Sequence, residues 1–321
     1  MSDPRWKGSA GAALSAQVID RLKRGKPLDD LRLGSSGHRV NLAGLLASPS
    51  HRVEVRRVGS IEIERVDGIV EIAGRSLFRL DLSGARLNGW RLRKCEIVDC
   101  RFDEARCADW ILWHCTVRDC SFSAADLRGA MLGTFPEGGR VKWERVSFAE
   151  ADLRGASAYG AVFVDCDFSN ARLEETNFLQ CDFVRCRFAG VMEEVLFDGR
   201  RVPDRPVAAE MESVDFANAH FVNVDFRGYS LRNTELPRDP DVFPIHRFPC
   251  VGRRVVAALS GASGPSERVV RGMIENSMPW TEDRPDSVWV FNRRDWREWG
   301  GDDAAILAER LMKQAETECA S

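Results

Sequence analysis

This chain lacks almost every mark by which a sequence announces an enzyme. No G-x-x-x-x-G-K-[ST], G-x-G-x-x-G or H-E-x-x-H motif occurs, so no phosphate cradle, dinucleotide turn or zinc-protease helix is indicated. Its five histidines (His38, His51, His114, His220 and His246) are scattered along the chain. Gly261-Ala262-Ser263-Gly264-Pro265 starts like a nucleophile elbow, but Pro265 stands where the final glycine is required and no strand precedes it. No apolar run reaches the length that spans a bilayer, and the N-terminus has no signal-peptide core. A net charge of −3 over 321 residues marks neither a basic nucleic-acid binder nor an acidic tail. The expectation is a non-enzymatic, cytoplasmic protein with no cofactor, no metal, no direct nucleic-acid contact and no membrane association.

What the chain has instead is a period of five. From Ile72 to Leu132 every fifth residue is apolar: Ile72, Leu77, Leu82, Leu87, Leu92, Ile97, Phe102, Cys107 and onward. The pattern restarts one residue out of phase at Trp143 and runs to Phe188, then starts again at Met211 and runs to Leu236. Five is neither the helical 3.6 nor the strand period of 2, so it marks an internal repeat. Two residues before each of these positions lies a second small or apolar series, among them Leu80, Ala85, Trp90, Cys95, Cys100 and Ala105. Side chains at i and i−2 of an extended segment share a side. Each unit therefore sends two groups inward and then turns a corner.

Identities recur at twenty. Trp90 and Trp110, Cys95 and Cys115, Cys100 and Cys120, and Ala85, Ala105 and Ala125 are all so spaced. Four five-residue sides thus close one coil, and like stacks on like about 4.8 Å away. Roughly seven coils give a rod on the order of 35 Å long. Each buried Leu or Phe contributes about 1.5–3 kcal/mol, and stacking neighbours make that burial complete. Eight of the ten cysteines fall in the repeats: Cys95, Cys100, Cys107, Cys115, Cys120, Cys166, Cys181 and Cys186. Their spacing equals the repeat rather than C-x2-C, and parallel neighbours make poor disulfides, so they read as buried small hydrophobes.

The units Ala-Asp-Leu-Arg-Gly (125–129 and 151–155), Leu-Ser-Gly-Ala (82–85) and Val-Asp-Phe-Ala-Asn (214–218) resemble the pentapeptide repeat family. The resemblance covers about residues 72–236. It implies a mainly β fold, a right-handed quadrilateral β-helix solenoid, flanked here by N-terminal and C-terminal non-repeat, partly helical segments.

The expected organisation is an N-terminal helix and loop (1–50), a strand-like cap (51–71), the repeat array (72–236) and a C-terminal mainly helical segment (237–321). Within the array, breaks fall at 133–142 and 191–210, the second an irregular coil plus a loop. In the last segment, residues 253–260 and 266–278 read as helices and 286–292 as a strand. A final helix capped by Asp302 and Asp303 places Ile306, Leu307, Leu311 and Met312 on its apolar side. Trp280, Trp289, Trp296 and Trp299 lie here, in a segment read as a cap on the coil or as a partner or homodimer surface.

A rod without a pocket works through its outer faces. Some members of the family mimic DNA and bind gyrase or a related type II topoisomerase, which needs rows of carboxylates standing in for phosphates. Most outer ladders here alternate in sign instead, as in Asp81–Arg101, Arg106–Asp126 and Asp152–Arg172. They read as ion pairs between coils. The second block is net acidic and the first slightly basic; Glu174 with Glu194 and Asp99 with Asp119 are the candidate acidic pairs. Ile111, Trp113, Met131 and Phe135 form a candidate apolar strip, either covered by the chain's own termini or used for a protein partner. The primary reading is an interaction module or scaffold, the alternative a topoisomerase-directed DNA mimic. The aspartates that precede inward residues (Asp81, Asp126, Asp152, Asp215) read as recurrent unit residues rather than catalytic carboxylates.

Overall fold

The computed structural model describes residues 3–47, 52–58, 61–67, 69–134, 139–202, 207, 209–281 and 284–320, with backbone alone at 52–58 and 61–67. The chain divides into two compact units, one ending at Arg172 and one beginning at Leu173.

The first unit is built from short parallel strands. Strands 71–73, 91–93, 111–113, 131–133 and 157–159 form one stack. Strands 76–78, 96–98, 116–118, 142–144 and 162–164 form the next. The other two sides are held by single bridges, such as Asp81↔Arg101↔Ser121↔Ser147 and Arg86↔Arg106↔Asp126↔Asp152. Four sides per coil is the quadrilateral β-helix that the spacing of twenty implied. Every period-five residue from Ile72 to Leu132 is buried, as are the residues two before it from Leu80 to Ala130. Rings stack coil on coil: Phe102 on Phe122 at 4.6 Å and Phe148 on Phe168 at 4.8 Å.

The corners explain why five residues suffice. The residue two after each inward position has positive φ, as at Gly74, Arg79, Gly84, Gly89, Lys94, Asp99, Glu104 and Asp109. One left-handed residue turns an extended chain sharply, which glycine does without strain and other residues do at a cost.

Insertions lengthen the step from one coil to the next, and strand 131–133 shifts register by one residue against 157–159. Ile111 pairs with Met131, twenty residues on, whereas Thr116 pairs with Lys142, twenty-six on. The first break is therefore an insert of six. A larger one was not legible in the sequence. Val40 and Asn41 pair with Leu80 and Asp81, and Leu46 bridges Arg86, so residues 39–47 already form two coil sides ahead of Ile72. Leu42, Leu45 and Ala47 are buried. The strand-like residues 51–71 contain an antiparallel hairpin, Arg52–Val58 with Ile61–Asp67, joined between those two parts of the coil. Helix α1 (Gly8–Arg24) ends at Gly25, which is left-handed and donates its N–H to Arg21 O and Leu22 O. Trp6, just before it, is buried and donates Nε1–H to Ala43 O at 2.7 Å.

The second unit carries the same stacking with a less even step. Strand 177–179 pairs with 196–198, nineteen on, and 196–198 with 225–227, twenty-nine on. Phe178, Phe197 and Phe226 stack at 5.2 and 4.9 Å. The stretch around Phe197 thus keeps its inward side, and the interruption of the ladder lies after it. Strand 187–193 pairs in parallel with 215–222 across a bulge.

Beyond the repeats, Val242–Ile245 and Trp289–Asn292 form an antiparallel ribbon. Three helices surround it: α2 (Phe248–Ala258), α3 (Pro265–Ser277) and α4 (Arg293–Ala320, broken at Gly301, φ 80°). Ser263 and Gly264 lie in the loop before α3, with Pro265 at the helix start, so no strand-to-helix elbow forms. Helix α4 buries Ala304, Ala305, Ala308, Met312 and Ala315. Ile306, expected on that side, is 62% exposed. Small alanines let α4 approach α2 and α3 closely, and position 306 lies about 200° around the helix from 304.

Candidate functional site

The first and third residues of each three-residue strand point outward, and this places the apolar candidates. Ile111 and Met131 are register partners in adjacent coils, and Trp113 is the third residue of the Ile111 strand, opposite Arg93. Ile111 and Trp113 are half-buried, and Met131 is 39% exposed. Phe135 lies outside the described residues.

The acidic candidates divide. Asp99 is surrounded by nitrogen groups: His38 Nε2 lies 2.7 Å from its carboxylate, Arg79 lies 3.4 Å away, and Arg39 also pairs with it. Burial pushes its carboxyl up, but His38 and Arg39 outweigh this and hold it below its ordinary value. Asp119 accepts two bonds from Arg145, at 2.6 and 3.0 Å, and that guanidinium lowers its pKa. Asp99 and Asp119 are therefore neutralised corner residues rather than a bare acidic row. In the second unit Glu194 is exposed at a corner with φ 53°, beside exposed Glu193. Glu174 is half-buried, with one carboxylate oxygen shielded from solvent, and Glu175 beside it is exposed.

Of the alternating ladders, Asp152–Arg172 is an ion pair at 3.7 Å, whereas Arg101 turns to Asp103 rather than Asp81 and Asp126 to Arg128 rather than Arg106; Arg118 also reaches Glu96 of the neighbouring coil at 3.3 Å. Others are local. Arg128 grips Asp126 at 2.8 Å and Arg154 grips Asp152 at 2.6 Å, each pair two residues apart across one corner. The same aspartates accept the backbone N–H of residue i+2: Ser83 to Asp81 at 3.1 Å, Arg128 to Asp126 at 3.3 Å and Ala217 to Asp215 at 2.9 Å. Aspartate recurs before the inward residue because its carboxylate closes the turn. These carboxylates hold corners.

The eight repeat cysteines are all buried thiols. Burial pushes the Cys107 and Cys120 thiols well above their ordinary range, which leaves them protonated and inert. Among the described residues no group of three or more His, Cys, Asp or Glu side chains is placed to hold a metal, and no helix is long and apolar enough to cross a membrane. The two cysteines outside the repeats, Cys250 in α2 and Cys319 in α4, form a disulfide. Nothing in their sequence spacing of 69 foretold it. The four C-terminal tryptophans also separate: Trp296 is buried, Trp280 and Trp289 are half-buried, and Trp299 is 48% exposed.

The sequence model of the family described as Pentapeptide repeats matches residues 140–170 and 161–192, with eight copies of the unit. No curated protein matches the chain significantly. Among solved structures, the pentapeptide repeat protein Rfr23 from the cyanobacterium Cyanothece 51142 is 16% identical, covering 35% of this chain and 86% of its own, with a TM-score of 0.32. A trypsin-treated form of QnrB1, a plasmid-mediated fluoroquinolone resistance protein, is 18% identical over 62% of this chain and 92% of its own, TM-score 0.27. HetL, a pentapeptide repeat protein involved in heterocyst differentiation regulation from Nostoc sp. strain PCC 7120, is 20% identical over 52% and 84%, TM-score 0.23. Residues 140–192 thus carry pentapeptide repeats, and the five-residue sides, left-handed corners and inward Leu/Phe ladder run through the residues before and after them.

Proposed function

We propose that the chain catalyses no reaction and acts as a protein–protein interaction module or scaffold through the outer faces of its β-helix. The observation that carries this reading is the apolar pair Ile111 and Met131, stacked at an outward position with Trp113 on the same strand. Aromatic and methionine side chains at a rigid, partly exposed position are the usual anchors of protein interfaces. The test is quantitative affinity purification with the wild-type chain and with Trp113→Ala and Met131→Glu. A specific partner retained by the wild type and lost from both folded variants supports the reading. Equal recovery by all three removes it.

A second reading is a DNA-mimicking binder of gyrase or another type II topoisomerase. Exposed Glu175, Glu193 and Glu194 favour it, because a carboxylate row is what a DNA-binding surface would accept. The purified protein should then alter gyrase supercoiling, and Glu174→Lys and Glu194→Lys should weaken that effect. No change at micromolar protein removes this reading.

The cytoplasm remains the proposed location, and the Cys250–Cys319 bond is the observation against it, since such bonds persist mainly in oxidising compartments. Alkylation of the protein in intact cells decides: two blocked cysteines place it outside the reducing cytoplasm. A C-terminal homodimer is tested by sedimentation.

A further inference from the structure

The second unit contains a cavity of about 390 Å³ between the strand end around Asn223–Phe226, helix α3, strand 289–292 and the first turn of α4. That volume suits a small organic ligand. Its lining holds four tryptophans (280, 289, 296 and 299) and two aspartates, Asp225 and Asp295, and no lysine or arginine.

The two aspartates are in different states. Asp225 is paired with Arg227 at 2.7 Å, and the Arg227 guanidinium lies 3.9 Å from the centre of the Trp280 ring. One carboxylate–indole pair at this cavity therefore already holds a cation, by charge and by stacking. Asp295 has the same kind of surroundings without the cation. It is 6% exposed, its neighbours are Trp296 and, one turn on, Trp299, and its Oδ1 accepts the Asn223 N–H at 3.3 Å. Arg294, next to it in sequence, is committed to Asp239 and Asp241. No described cation pairs with Asp295. Two further polar atoms of lining residues are buried without a partner: the Nε1 donor of Trp296 and the Oδ1 acceptor of Asn223. A buried donor and a buried acceptor left unmade are costly, and a ligand that supplies both partners removes the cost.

We propose that this cavity binds a small molecule bearing a protonated primary amine on an apolar or aromatic body. The ammonium sits between the Asp295 carboxylate and the tryptophan faces, and one N–H goes to Asn223 Oδ1. A hydrogen-bond acceptor on the ligand takes the Trp296 Nε1–H. A primary amine rather than a quaternary one is required, because Asn223 Oδ1 needs a donor. An anionic ligand is disfavoured by the Asp295 carboxylate, with which no described cation pairs. The site is separate from the outer faces considered above, and its test does not depend on them.

The experiment uses the full chain and three probes of similar shape: phenethylamine, 2-phenylethanol and 3-phenylpropionate. Binding is read by quenching of tryptophan fluorescence and by isothermal titration calorimetry. The expected result is saturable binding of the amine, at least tenfold tighter than the alcohol, with no binding of the carboxylate. Asp295→Asn should lose that tenfold preference while keeping the alcohol's affinity. Trp299→Ala, at a half-exposed position that leaves folding intact, should weaken the amine about threefold or more and the alcohol less. Equal affinity for amine and alcohol, preference for the carboxylate, or no saturable amine binding at millimolar concentration overturns the proposal. So does unchanged amine binding in Trp299→Ala together with a folded Asp295→Asn that keeps the preference. If Asp295→Asn does not fold, the probe series and Trp299→Ala decide it.

Discussion

Trp90 and Trp110 stand one coil apart with their indole planes 11° from parallel and their centroids 6.1 Å apart. Each donates Nε1–H to a backbone carbonyl, Trp90 to Ala47 at 2.9 Å and Trp110 to Leu87 at 2.6 Å. The largest side chains of the first unit thus fill the coil interior and hold the backbone of neighbouring coil sides. Trp110→Ala should cost about 3–5 kcal/mol, the range for a large aromatic removed from a core that cannot close around the gap. Urea unfolding followed by circular dichroism measures it. A loss under about 1 kcal/mol would mean that the stack collapses freely.

The corners can be tested without touching the core. A Cβ added at Gly84 meets nothing within 4 Å, so Gly84→Ala changes only the backbone energy at φ 62°. It should destabilise by about 1 kcal/mol. The reverse change at an equivalent corner, Ala124→Gly at φ 54°, should be neutral or slightly stabilising. Thermal melts of the two variants should move in different directions or not equally. Equal shifts would show that left-handed strain does not set corner composition.

Reduction of Cys250–Cys319 should loosen the C-terminal helices. The bond closes a segment of 69 residues, for which chain entropy gives roughly 4 kcal/mol. Dithiothreitol should lower the temperature at which Trp289 and Trp296 fluorescence changes. Cys319→Ser should reproduce the shift and make the reductant inert.

The eight repeat thiols should behave oppositely. All are buried, so a thiol reagent should not label them under native conditions and should label all eight in denaturant. Mass spectrometry after timed iodoacetamide treatment reads this out. Rapid native labelling of Cys107, which lies at the centre of a side, would contradict the packed core.

Asp295 predicts a pH dependence with a definite sign. Burial raises its carboxyl to about 6 from an ordinary 3.8. The charged groups bearing on it are Glu298 and Arg294 from α4, and the cavity lining adds the Asp225 carboxylate; α3 contributes Met273, Asn276 and Ser277 and the strand 289–292 no titratable lining residue. Between those two values the folded chain keeps a proton that the unfolded chain has released. Stability therefore falls as pH rises from about 4 to about 6 and is level above. Carboxyls held low by arginine, such as Asp239 and Asp119, act on stability only at lower pH. Asp295→Asn should be more stable than the wild type at pH 7, by on the order of 3 kcal/mol, and equal to it near pH 4. A difference that does not change between pH 4 and pH 7 would assign Asp295 a normal acidity.

The sequence made the coil legible because each side carries its own signature. Leu82, Leu87 and Leu92 mark the inside, and the recurrence of Trp90 at Trp110 sets the number of sides. Leu42 and Ala47 carry the same five-residue step, but a single step is too short to stand out, and the hairpin that follows parts it from Ile72. The corner role of Asp126 was visible only as recurrence; its bond to the Arg128 N–H needs coordinates. Ile306 was misplaced because a helical wheel ranks residues by hydrophobicity, whereas close packing of α4 selected alanines. The cavity around Asp295 joins residues 223 and 295, and no local pattern could have brought them together.

The hairpin at 52–67 and the insert before Lys142 each interrupt the repeat, and strand pairing resumes on the far side of both. Register here is fixed by the sides alone, so the chain between sides tolerates foreign sequence that a side does not. New surface can therefore be spliced into this protein, by evolution or by design, without renegotiating its core.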